Sequence, residues 1–249
     1  MKNKIKIVYI ALSLIIYQHT LFASEVLVYR NESMPWCGTV NGNDAGITID
    51  ILNEITKHGG PEFRFEELPW KRAQIYVTKN IGTAIIPLTR TEVRENIFMW
   101  IVELVQNQVR LTIARNQRNE VSTPSPFTLA NSKNLTIGII LGSAMIPTLK
   151  QLGFSKLEKV PTAHMNVKKL RYGRIDAMAE SKWVDNYLWH QIGEKANDLI
   201  PGPNIGKPKY IYLAAGLDFP LEIATDIRNA MDKVRASGKL KEILNKWTQ

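Results

Sequence analysis

Two arginines four residues apart, Arg90 and Arg94, lie in the run 87–100 (PLTRTEVRENIFMW), directly after a buried-type strand at 84–86. Thr89 and Glu92 have capping-box spacing, which predicts that a helix begins among Thr89 to Thr91. A helix start offers free backbone N–H groups and the positive end of the peptide dipoles to whatever lies in front of it. Two guanidinium groups within a turn of that start would add bidentate partners for a carboxylate. The same residues also fit a solvated, ion-paired surface, with Arg90 near Glu92 and Arg94 beside Glu95, and such pairs contribute little.

A second candidate group is aromatic and basic: Pro69, Trp70, Lys71, Arg72 and Ala73 follow a predicted strand at 63–67. Proline suits a first helical turn, and Trp70 beside Arg72 offers an apolar plate with a cation nearby. Trp36 lies in the loop after the first predicted strand, 25–29 (EVLVY), where loops of open α/β sheets line a ligand crevice. It fits a pocket wall and a core plug equally well. Further along, Gly142 and Ser143 end a predicted strand at 135–141 and precede a predicted helix, repeating the strand, turn and helix-start arrangement.

These motifs resemble the family 3 solute-binding proteins, the periplasmic receptors of ABC importers for polar amino acids and related solutes. The resemblance rests on LPWKRA at 68–73 and TRTEVRENIFMW at 89–100, and GRIDA at 173–177 extends it. It implies a two-lobed α/β fold, the type II periplasmic binding protein, with two crossovers between lobes. By the same resemblance Arg94 holds the ligand carboxylate, with Thr89, Arg90, Trp70, Arg72, Trp36, Gly142 and Ser143 as further ligand-site candidates. Asp50 matches a family position to which we assign a helix-start role. The chain departs from the family at Ala144, where a second hydroxyl residue is usual, and again five residues beyond Asp176. There many amino acid binders carry an aspartate for the ligand's ammonium, and this chain has Ser181, with Glu180 adjacent. Either Glu180 supplies that carboxylate or the ligand has no α-ammonium group.

The elements that must position these residues follow from pattern. Residues 1–23 read as a secretory signal peptide: Lys2, Lys4 and Lys6, an apolar run at 7–17 too short to span a bilayer, and a small residue at Ala23. Without them, 29 basic residues face 23 acidic ones, a balance of +6 spread along the chain rather than gathered in a stripe, which argues against nucleic acid as partner. One cysteine, Cys37, permits no internal disulfide. The remaining chain is long enough for two lobes, expected as 24–108 with 209–249 and as 109–208. The segment 116–131 reads as surface loop, 201–208 (PGPNIGKP) as a breaker-rich linker and 210–215 as the return strand; the rest is helical to 247.

Catalytic patterns are mostly absent. His58, His164 and His190 have no metal-ligand spacing, and there is no nucleophile elbow, phosphate loop or Cys-x-x-Cys pair. The expectation is therefore a periplasmic, monomeric receptor without cofactor or metal. It captures a small carboxylate-bearing solute for an ABC permease in the inner membrane. Two alternatives stand beside it: a dehydratase of the same fold using Glu180 or Glu103 as general acid, and a soluble sensing partner of a membrane receptor.

Overall fold

The computed structural model describes residues 25–115 and 124–248; the expected signal peptide and part of the expected 116–131 loop lie outside the described residues. The chain opens with strand β1 (Glu25–Arg30), the short pair β2 (Gly38–Val40) and β3 (Asn43–Ala45), and helix α1 (Ile47–Lys57). Ile47, Ile51, Leu52 and Ile55 recur at helical spacing, so α1 buries one apolar face. It stops at His58 and Gly59, whose φ of 96° a side chain would resist. Strand β4 (Glu62–Glu67), helix α2 (Trp70–Val77), β5 (Ala84–Thr89) and β6 (Met99–Asn107) follow.

The chain then enters the second unit with β7 (Val109–Ala114), β8 (Ile137–Ile140), α3 (Met145–Gln151), β9 (Leu157–Val160) and α4 (Ala163–Arg171). Strand β10 (Ala177–Ser181), α5 (Lys182–Gln191) and β11 (Leu199–Asn204) complete it. It returns through β12 (Lys209–Ala215) and ends in α6 (Leu221–Ala236) and α7 (Lys239–Thr248).

Two five-stranded sheets result, ordered β4-β1-β5-β12-β6 and β11-β7-β10-β8-β9. In the first, β1 is parallel to β4 and β5, while β12 runs antiparallel to β5 and β6. In the second, β8 is parallel to β9 and β10, and β7 is antiparallel to β10 and β11. The chain crosses between the sheets at Gln108 and again over 205–208. The two crossings are tied together: the Ile205 N–H donates to the Val109 carbonyl at 2.8 Å, and Gln108 Nε2 donates to the Gly206 carbonyl at 3.4 Å.

Several elements differ from the sequence reading. No helix begins at Thr89 to Thr91. Thr89 ends β5, Glu92–Arg94 is a single 3-10 turn, Thr91 makes no side-chain cap, and the chain is extended again from Met99. Phe98 is buried only four residues past Arg94, and that anchor leaves no room for further turns. The first half of the segment expected as linker belongs to β11, an edge strand whose register shifts between Pro201 and Asn204, where a proline without an N–H is tolerated. Asp50 falls in the first turn of α1, four residues past the N-cap Gly46, but without a side-chain cap there. Its Oδ2 accepts from Lys246 Nζ and Trp247 Nε1, both at 2.8 Å, so it fastens α7 to α1.

Pro87 sits within the central strand β5, which a missing N–H would ordinarily forbid. The β5–β12 register explains it. Tyr212 opposes Leu88 and Ala214 opposes Ile85, so Leu213 alone faces Ile86 and Pro87 across a bulge. The bulge brings the end of β5 to the cleft between the sheets.

Candidate functional site

The cleft between the two sheets encloses a cavity of about 90 Å³, and Arg94 lies in its wall. Arg94 is 9% exposed, and its guanidinium is held on three sides. Nη1 donates to the Thr89 carbonyl at 2.9 Å, and Nη2 donates to Gln74 Oε1 at 3.1 Å and to the Gly142 carbonyl at 2.9 Å. All three acceptors are neutral, and no carboxylate pairs with Arg94 among the described residues. Burial alone lowers its pKa to about 10, well inside the range where it stays charged at neutral pH. A buried cation without an internal counter-ion is a site that favours an anion.

Gly142 makes this contact possible. Its φ is 83°, and a Cβ there would lie 3.0 Å from Gln74 Nε2 and 3.7 Å from Trp70 Cδ1. The sequence reading placed backbone N–H donors at this turn, but it is the Gly142 carbonyl that reaches Arg94. The helix that follows, α3, begins only at Met145 and is two turns long. Ser143 Oγ accepts from the Met145 N–H at 3.3 Å and lines the cavity.

Of the other candidates, Trp36, Trp70, Thr89 and Glu180 also line the cavity. Trp36 is 3% exposed and meets Trp183 of α5 edge to face, with centroids 5.1 Å apart. It therefore acts as pocket wall and core plug together. Three candidates lie elsewhere. Arg90 is bound to Glu95 at the surface, its Nε donating to Oε2 at 2.9 Å, and it lies over the rings of Trp100 and Tyr212 at 5.5 and 5.6 Å. Arg72 is exposed on α2. Ser181 is buried, and its hydroxyl caps α5 by accepting from the Val184 N–H at 3.3 Å. Glu103 lies outside the cavity lining, and its Oε2 accepts from the Tyr212 hydroxyl at 3.5 Å.

Glu180 is half-buried and accepts from the Ser181 N–H at 2.9 Å, and desolvation raises its pKa to about 7. Behind it Asp185, fully buried, takes the Thr112 hydroxyl and lies 3.8 Å from Arg110 Nε. Burial, aided by the nearby Glu180 charge, raises Asp185 to about 8. Cys37 is buried without a disulfide, its Sγ donating to the Asn31 carbonyl at 3.2 Å, and burial raises its pKa to about 12.

Sequence reasoning missed five polar cavity residues, Asn31, Ser33, Asn107, Lys207 and Lys209, and the orienting Gln74. Gln74 stands one helical turn beyond Trp70, so helical spacing from that residue points to it. Asn31 and Ser33 directly follow β1, where crevice loops are expected. Asn107 and Lys209 are cross-strand partners at the crossover and could be found only once the hinge was placed.

Among the described residues no group of histidine, cysteine and acidic side chains could hold a metal, and no helix is long and apolar enough to cross a membrane. Two α/β lobes joined by two strand crossovers, with a polar cleft between them, define a binding protein of the two-lobed periplasmic type. The family model for bacterial extracellular solute-binding proteins, family 3, matches residues 26–249, and the chain belongs to that family.

Solved structures agree in fold. A histidine kinase sensor domain with similarity to periplasmic binding proteins superposes with a TM-score of 0.78 at 16% identity, covering 90% of this chain and 95% of its own. An ABC uptake transporter substrate-binding protein from Streptococcus pneumoniae with bound histidine gives 0.76 at 18%, covering 90% and 92%. The arginine-, lysine-, histidine-binding protein ArtJ from Geobacillus stearothermophilus gives 0.74 at 19%, covering 90% and 95%. No curated protein matches the sequence.

Proposed function

We propose that this chain is a periplasmic solute-binding receptor that captures a small, carboxylate-bearing, amino acid-like solute and delivers it to an ABC importer. The observation that carries the reading is Arg94: a buried guanidinium at the cavity wall whose protein partners are all neutral. The ligand carboxylate pairs with it, Trp70 packs against the apolar part, and Glu180, in the same cavity lining, takes an ammonium group where the solute carries one. Residues 24–108 with 209–249 form one moving lobe and 109–208 the other, after residues 1–23 are removed on export. The solute touches Arg94 and Trp70 on one lobe and Ser143 and Glu180 on the other, so it favours the closed form, the only one that offers both sets. The receptor acts as a monomer, without cofactor or catalytic step.

Thermal unfolding of the protein against amino acids, deaminated acids, amines and short peptides tests this. A ligand at a hundred times its Kd adds ~2.7 kcal/mol, which for this size raises the midpoint by roughly 5 to 10 °C. A shift confined to carboxylic acids is expected; shifts from amines alone would overturn the reading. Import predicts that uptake of the shifting solute stops when the chain is removed from the cell. Unchanged uptake together with a lost signalling response would assign the chain to sensing instead.

A further inference from the structure

The charged side chains lining the cavity are unbalanced. Arg94, Lys207 and Lys209 face Glu180 as the single acid among the lining residues. Neither lysine enters an ion pair among the described residues, although both stand where the chain crosses back into β12. A neutral zwitterion would use Arg94 and Glu180 and leave Lys209, half-buried, and Lys207, exposed, without an acidic partner among the lining residues.

Strand register places Lys209, and Lys207 lies two residues before it. Thr89, whose carbonyl holds Arg94, opposes Ile211 across the β5–β12 pair. Lys209 lies two residues before Ile211 on the same strand face, roughly 7 Å along it, and opposes Asn107 on β6. Ile211, Asn107 and Lys209 all line the cavity, so the path from Arg94 to the hinge is open and polar at its far end. The spacing, with the reach of a lysine side chain, suits a short carbon chain bearing an acid at each end.

We propose that the solute is a small dicarboxylate, either an acidic amino acid or its deaminated counterpart, whose second carboxylate is bound at the hinge by Lys207 and Lys209. This rests on the reading that Arg94 takes the first carboxylate.

Calorimetric titration of matched acid and amide pairs tests it: glutamate against glutamine, aspartate against asparagine, and glutarate and succinate against their monoamides. At least one acid binds roughly tenfold or more tighter than its amide, a difference of about 1.4 kcal/mol per tenfold. In Lys207→Gln/Lys209→Gln that preference falls to within about twofold while the amide still binds. Each lysine is changed singly as well, should the double variant lower the unfolding midpoint. Acids no tighter than amides, or a preference surviving the double variant, would overturn this inference alone, provided that binding is still weakened at least roughly tenfold in Arg94→Ala. Absence of binding by every carboxylic acid, or binding indifferent to Arg94→Ala, would overturn the parent reading and this one with it.

Discussion

Arg94 spans the cleft: its guanidinium, rooted in the lobe of β5, donates to the carbonyl of Gly142 in the opposite lobe at 2.9 Å. The side chain assigned to the ligand is thus also a latch between lobes. Gly142 can approach so closely only without a side chain, because its φ of 83° is strained for any other residue and a Cβ would press on Gln74. Gly142→Ala is expected to hold the lobes apart and weaken binding of the active solute by roughly tenfold while leaving each lobe folded. Calorimetry with circular dichroism checks both parts.

Glu180 is expected to set the pH dependence of binding. Its pKa of about 7 means that it is partly protonated at neutral pH, and only the ionised form pairs with an ammonium group. Amino acid affinity is expected to rise as pH increases from 6 to 8, with a proton released on binding. Titration in buffers of different ionisation enthalpy reads the released proton directly. Glu180→Gln removes both the release and the pH dependence, whereas a deaminated acid releases no proton in the unaltered protein and binds no tighter as pH rises.

Stability should fall over the same pH range. Glu180 and Asp185 have pKa values of about 7 and 8, above their ordinary 4.5 and 3.8, so between those limits the folded chain binds more protons than the unfolded one. The stabilisation is fully present below about pH 4 and is lost as pH rises through 7 and 8. Arg110, 3.8 Å from Asp185, softens the loss but does not reverse the sign. Thermal unfolding at pH 5.5 and 8.5 is expected to give the higher midpoint at the lower pH, and Asp185→Asn should flatten the difference.

The Trp36–Trp183 contact joins the lobes at the wall of the cavity that Arg94 also lines. An edge-to-face pair contributes about 0.5 to 1.5 kcal/mol beyond its burial. Trp183→Ala should therefore shift the population toward the open form and weaken solute binding roughly two- to tenfold. Tryptophan emission, compared with and without solute in the variant and the unaltered protein, follows the same closure.

The fold was readable where hydrophobic pattern was strong and local. The apolar run EVLVY at 25–29 gives β1, and the run at 84–86 gives the start of β5. The Arg94 site was readable only in part: the residue was found, but the helix start assigned to it was a strand end and a 3-10 turn. Capping-box spacing is a local signal, and the buried Phe98 and the pairing of β6 with β12 overrode it. The hinge lysines were invisible for a different reason. Lys207 sits in a proline- and glycine-rich run, and nothing in that run indicates that it faces β5 and β6 across a cavity. Arg90 and Arg94 look equivalent in sequence and differ only in which side of the turn they leave from, solvent for one and cleft for the other.

The central claim is a carboxylate held by Arg94, and calorimetric titration of the solute that shifts unfolding most, against the unaltered protein and Arg94→Ala, tests it most directly. A charge-assisted hydrogen bond contributes about 1.5 to 3 kcal/mol, so affinity should drop by at least roughly tenfold and up to about a hundredfold in a variant that remains folded. Affinity unchanged in folded Arg94→Ala would contradict the claim and move the anion site to another cation of the cleft.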